Sequence, residues 1–375
     1  MWQQVSRLVP TGSRSLCIAV VTVIAMPEPA SAIPTYQIVD LGDLGGDFAR
    51  ARAINDSGDI VGESLIPVAG SIEHAFRWNG ENLLDLGSLG GLRSRALDIG
   101  DNGRVAGGAQ DAAGLTWPTV WDVNGVASAL PTLGTNGGAA WAVGILDILA
   151  GYSFLTPSVY HAALWEGDHA TDLGTLGGTL SVAYDINSGT IVAGAAQNAA
   201  GEQRATLWSM SGIADLGLLP GGDWNTARAI NDSGQVILWG VPDGQSKNRA
   251  VIWGGGVADV PLDLGTFGGD ESWAYAINNP GNVVGWAELA DGNYHAFLWD
   301  GTANVDLGTL GGLFSAAYGI NDDGVIVGYA QDASGQTHAV AWYPVPEPAG
   351  CAILGIMCAW IMACSRRSRA PGVRC

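Results

Sequence analysis

DLGTLGGLFSAAYGINDDGVIVGYAQDASGQTHAVAW, residues 306–342, reads as short extended segments separated by turn chemistry. After Gly311-Gly312, the run Ala316–Ile320 predicts a strand, and Asn321-Asp322-Asp323-Gly324 predicts a tight turn in which Gly supplies positive φ. Val325–Tyr329 is a second strand, Gln331–Gln336 a polar loop, and the Trp-ending segment His338–Trp342 a third strand. In the sister segment His295–Trp299, alternation predicts Phe297 on one face, with His295 and Trp299 off it. A short turn such as Asp300-Gly301 or Asn79-Gly80 then leads into a fourth strand ending in Asp-Leu-Gly.

The same stretch recurs along the chain. Asp-Leu-Gly-x-Leu/Phe-Gly-Gly starts at Asp40, Asp85, Asp172, Asp263 and Asp306, with looser copies at Thr132 and Asp215, a mean period of about 44 residues. Ile-Asn recurs at Ile54, Ile186, Ile230, Ile277 and Ile320, with degenerate versions at Ile99 and Ile145. A third motif ends in Trp, four residues after a His or Arg: His74–Trp78, His161–Trp165, Arg204–Trp208, Arg249–Trp253, His295–Trp299 and His338–Trp342, with Trp117–Trp121 in the second unit. Four strands in about 44 residues is the content of one β-propeller blade.

These motifs together resemble the HAF family of bacterial extracellular repeats, across residues 36–343. Seven Gly-Gly units, seven Trp-ending strands and seven Asp-Leu-Gly segments predict an all-β fold, a seven-bladed β-propeller occupying residues 33–344. The first Asp-Leu-Gly strand, Tyr36–Leu41, precedes any complete unit, and the last unit ends at Trp342-Tyr343 without a fourth strand. The N-terminal strand is therefore expected to complete the last blade, leaving no open sheet edge.

Both ends carry addresses. Residues 1–32 combine Arg7 and Arg14, an apolar run from Leu16 to Met26, and Ala30-Ser31-Ala32, the pattern of a signal peptide cut by signal peptidase after Ala32. At the other end, residues 345–375 hold Val345-Pro346-Glu347-Pro348, an uncharged stretch from Ala349 to Cys364, and the basic residues Arg366, Arg367 and Arg369. This order resembles the PEP-CTERM sorting signal. That resemblance implies processing by an exosortase-type membrane protease in exopolysaccharide-making bacteria, with membrane contact only through the C-terminal helix before processing. Export across the inner membrane to the envelope surface or matrix is the expected fate. An ordinary membrane anchor is the alternative, although 16 residues at ~1.5 Å each make a short span for a hydrocarbon core of about 30 Å.

Composition narrows the chemistry. With 56 Gly, 15 Trp, 47% hydrophobic residues and 14% charged residues, the chain is neither disordered nor collagen-like. All five Cys lie at positions 17, 351, 358, 364 and 375, so residues 18–350 have no disulfide, thiolate or Cys-based zinc site. Residues 33–345 carry 34 acidic and 10 basic side chains, a formal charge of −24 that sets nucleic acid aside as a partner.

No catalytic motif is found: no nucleophile elbow, P-loop, His-Glu-x-x-His or dinucleotide fingerprint. Four of the five His share one repeat position with Arg204 and Arg249, which suits a structural partner better than a shared metal. The repeat Trp read as packing between blades. The Asn-Asp-Ser-Gly segments read as hairpin turns, with Ca²⁺ binding as the alternative and no other metal or cofactor implied. Residues just past each Gly-Gly break the repetition: Phe48, Arg50, Arg93, Arg95, Trp141, Trp224, Trp273 and Phe314. They are expected at one rim of the central channel, where they either stack on sugars and hold acidic polysaccharide or pack against adjacent loops. The reading is thus a non-enzymatic module that binds or scaffolds exopolysaccharide or envelope components. The alternative is a polysaccharide lyase or glycosidase with its site in the channel.

Overall fold

A computed structural model describes residues 35–345, apart from 69, 136, 243–244 and 255–259. The expected signal peptide with Ala32, and the sorting residues Pro346, Glu347, Pro348, Arg366 and Arg367, lie outside the described residues; Val345 is described and exposed.

The described chain is built of β-strands with one 3₁₀ turn, Ile145–Asp147. The strands fall into antiparallel four-stranded units. Their inner strands are Ala49–Ile54, Gly90–Ile99, Gly138–Val143, Gly177–Ile186, Asn225–Ile230, Gly268–Ile277 and Gly311–Ile320. Two pairs of neighbouring units are further joined through single parallel contacts, Tyr160 to Leu180 and Tyr294 to Phe314. The last unit lacks an outer strand of its own. Tyr36–Gly42 fills that place, pairing antiparallel with Thr337–Pro344 so that Ile38 faces Trp342 and Asp40 faces Val340.

Hydrophobic burial is concentrated between units. One cluster joins Val61, Ala75 and Leu86 of the first unit to Ala96, Val105 and Trp121 of the second; another joins Val327 and Ala341 of the last unit to Ala51, Ile60 and Phe76 of the first. Trp121, Trp165 and Trp342 are fully buried, and each indole N–H donates to a carbonyl of the preceding unit, on Leu86, Pro131 and Leu307 respectively. Trp208 is buried at the same seam position, but its indole N–H has no hydrogen-bond partner among the described residues. Trp78 and Trp299 are only half-buried, because Phe76 and Phe297, two residues earlier, occupy the seam instead. The regular pairing of Tyr294–Trp299 corrects the expectation about faces: a period of two places His295, Phe297 and Trp299 on the same side of the strand.

A second bond system runs around the seams. In the Ile-Asn turns the buried Asn side chain accepts from a backbone N–H four residues later and donates to a carbonyl of the next unit. Asn187 donates to Asn231, Asn231 to Asn278, Asn278 to Asn321, and Asn321 back to Asn55, at 3.0–3.2 Å. Asn55 in turn donates to Gly100. The bond from Asn321 to Asn55 spans 266 residues of chain and closes the circle.

Candidate binding site at the central channel

The side chains that face the channel are placed there by a bulge. Each inner strand slips register by one residue against its neighbour, as between Ala51 and Ala53 or between Ala274 and Ala276. The residue left unpaired is Arg52, Leu97, Trp141, Tyr184, Arg228, Tyr275 or Tyr318, according to unit, and all seven line the channel. A bulge frees one residue from the ladder and re-aims it. The glycine of the Val-Val-Gly motif makes room for this: a Cβ on Gly62, Gly194, Gly285 or Gly328 would overlap the inner-strand carbonyl oxygen of Arg50, Val182, Trp273 or Ala316. Leu238, opposite Ala227, is the one large side chain at that place.

The channel wall is cationic and aromatic in part. Arg52 donates three hydrogen bonds of 2.6–2.9 Å to the carboxylate of buried Glu63, which holds its guanidinium firmly protonated, and it lies 4.7 Å from the ring centre of Tyr318. Arg228 is different. Its guanidinium sits 5.3 Å from the ring centre of Tyr184, 5.5 Å from Trp239 and 5.6 Å from Trp141, and burial lowers its proton affinity. Asp98 and Asp185 line the same cavity of about 150 Å³. Burial pushes the Asp98 carboxyl up to about 7 and raises Asp185, against the opposing pull of backbone N–H donors from Val143 and from Ile186 and Ile230.

Two residues before the bulge, aromatic rings form a connected arc that runs from the inner strand Gly268–Ile277 across its neighbouring strands to the next inner strand, Gly311–Ile320. Trp239 meets Trp273 and Tyr275 edge-on, and Trp273 stacks toward Trp286. Trp286 meets Tyr294, Tyr294 stacks on Phe314 at 4.6 Å, and the hydroxyls of Tyr294 and Tyr329 bond at 2.8 Å. Arg50 lies over both Phe48 and Tyr329 at the arc's end, with its Nε buried and unbonded. The positions matching Trp286 and Tyr329 in the other units are Glu63, Gly108, Tyr152, Ala195 and Trp239; Trp239 belongs to the arc, while Tyr152 meets Phe154 and Tyr160 in a separate cluster.

At the opposite end, the Ile-Asn turns surround a depression of about 450 Å³. Its carboxylates are already engaged. Asp101 accepts from the Asp56 N–H, Asp232 from Ser188, Asp322 from Asn279, and Asp56 from Asp322. Among the described residues no group of three or more His, Cys, Asp or Glu is placed to share a metal ion.

No protein-family model and no curated protein matches the sequence. Solved structures do. The β-propeller domain of the Trilobed protease from Pyrococcus furiosus aligns over 79% of this chain and 95% of its own, at 10% identity and a TM-score of 0.51.

The fold is a β-propeller.

That domain is described as having an open velcro topology, whereas in this propeller the first and last strands pair. The BP39L lectin from Burkholderia pseudomallei is also similar, at 12% identity over 83% of this chain and 96% of the lectin, with a TM-score of 0.44. So is XC5397, a gluconolactonase from Xanthomonas campestris, at 9% identity over 83% of this chain and 90% of that one, with a TM-score of 0.41.

The residues expected at the rim occupy three different registers of the propeller's inner strands. Phe48, Arg50, Trp273 and Phe314 belong to the aromatic arc. Trp141 is a bulge residue beside Arg228, deeper than the rim. Trp224 is half-buried beside the start of its inner strand, and Arg93 is exposed. Arg95 is tied to Glu73 at 2.6 Å.

Sequence reading missed Tyr184, Arg228, Tyr275 and Tyr318, although their constant place one residue past the strand's Ala was visible. It also missed the partner of the repeat His. His74, His161 and His295 bond the Asp of their own Asp-Leu-Gly at 2.8–2.9 Å, eleven residues later. His338 meets Asp40 at 3.0 Å across the ring closure.

Proposed function

We propose that this chain is an exported, non-enzymatic seven-bladed propeller of the HAF repeat type that binds acidic exopolysaccharide or a related envelope glycan. The aromatic arc carries this reading. The half-buried rings of Trp273, Trp286, Tyr294 and Phe314, packed on one another with Arg50 at one end, supply partly exposed aromatic surface and positive charge on an otherwise strongly acidic chain. Sugar rings present C–H faces that stack on such surfaces, and a guanidinium holds a carboxylate or sulfate. Signal peptidase and an exosortase-type protease are the processing partners under this reading, and the envelope surface or matrix is the destination.

The test is a glycan array probed with the purified protein, with and without chelator, followed by Trp273→Ala and Phe314→Ala. Each should weaken binding by about 1–2 kcal/mol with little change in thermal melting. If both variants bind as the parent does, the arc is not the site. Cleavage of a bound glycan would make the protein a lyase or glycosidase instead.

A further inference from the structure

The waist of the channel holds a cation without a direct polar partner. Arg52 is neutralised by Glu63. Arg228 has no ion pair within 4 Å and no hydrogen-bond acceptor among the described residues; the rings of Trp141, Tyr184 and Trp239 collar it, and the carboxyls of Asp98 and Asp185 act on it only across the cavity. Ring faces attract the guanidinium's charge but do not accept its five N–H bonds. Those in-plane donors suit a planar anion that accepts two parallel bonds.

Size and charge narrow the anion. The adjoining cavity is about 150 Å³, well below the ~300–1,000 Å³ of a site for a drug-sized ligand, so it takes one small group. Asp98 and Asp185 on the same wall repel a dianion more strongly than a singly charged group, and the planar pair of donors then suits a carboxylate. Tyr275 and Tyr318 line this cavity and also touch Trp239 and Tyr329 of the arc, so waist and arc share their walls.

We propose that Arg228 receives the carboxylate of a uronic-acid residue, the arc stacking the sugar and Arg228 selecting its charge. This deepens the glycan-binding reading and rests on it.

The experiment titrates the purified full-length protein with glucuronate, glucose, acetate and an oligoglucuronate, read by tryptophan fluorescence, since Trp141 and Trp239 flank the site. Glucuronate should bind at least tenfold more tightly than glucose, and the oligomer at least as tightly as glucuronate. Acetate should bind more weakly but compete. Arg228→Met should abolish the preference for glucuronate over glucose. Equal affinity for glucuronate and glucose in the unmodified protein overturns the proposal and leaves glycan binding standing; this comparison holds even where Arg228→Met fails to fold. Acetate binding as tightly as glucuronate, with no response to the oligomer, would assign the waist to a free small carboxylate and overturn the glycan assignment.

Discussion

If the ring is closed, the seam between its last and first units must be as strong as the seams inside the chain. Asn321 and Asn187 allow a direct comparison. Asn321 accepts from the Val325 N–H at 2.9 Å and donates to the Asn55 carbonyl at 3.2 Å. Asn187 accepts from the Ile191 N–H at 2.9 Å and donates to the Asn231 carbonyl at 3.2 Å. Both side chains are buried. Replacement by Ala orphans one buried donor, the turn N–H, at about 1–3 kcal/mol, and removes one of the two bonds to a carbonyl that still accepts from Gly58 or Gly234, at about 0.5–1.5 kcal/mol. Only the second loss belongs to the seam. In an open array Asn321 would keep its turn bond alone, and Asn321→Ala would cost about 0.5–1.5 kcal/mol less than Asn187→Ala. Urea unfolding of the two variants and the parent measures the difference, provided the slopes agree. Costs equal to within about 0.5 kcal/mol support closure. A deficit above about 1 kcal/mol at Asn321 refutes it.

Gly285→Ala should leave little folded protein, because its Cβ would overlap the Trp273 carbonyl, whereas Gly292→Ala meets no atom and should cost only about 1 kcal/mol for its left-handed backbone; expression and thermal melts distinguish them. Trp165→Ala should cost about 3–5 kcal/mol through the cavity it opens in a seam, and Trp299→Ala clearly less, since Phe297 fills that seam; equal losses in chemical denaturation would count against the seam assignment. Asp98 holds its proton up to about pH 7 in the folded chain but only to about 4 when unfolded, so the folded state binds the extra proton between those values. Its contribution to stability therefore falls as pH rises through that window, by at most about 1.4 kcal/mol per pH unit, and Asp98→Asn should remove that slope from denaturation curves taken at pH 4 to 8.

The sequence alone determined the local order of this protein. Repeating Gly, Asn and Asp mark turns, apolar runs between them mark strands, and a first strand without a unit plus a last unit without a strand predict the pairing of Tyr36–Gly42 with Thr337–Pro344. Turn chemistry and strand period act over a few residues, so they are legible in a few residues. The direction of a side chain past an irregularity is not. One unpaired residue per inner strand turns Trp141 and Arg228 into the channel; its place after the strand's Ala is constant in sequence, but its turn into the channel comes from a register slip against the neighbouring strand, which forms opposite Gly151 and opposite Leu238 alike. Nor does the sequence say that Trp239, Trp273, Tyr294 and Phe314, drawn from three units, meet in one arc. The repeat makes every unit look equivalent in sequence, and only the packing of successive units, with ring closure bringing Arg50 over Tyr329, sets which departures from the repeat become neighbours.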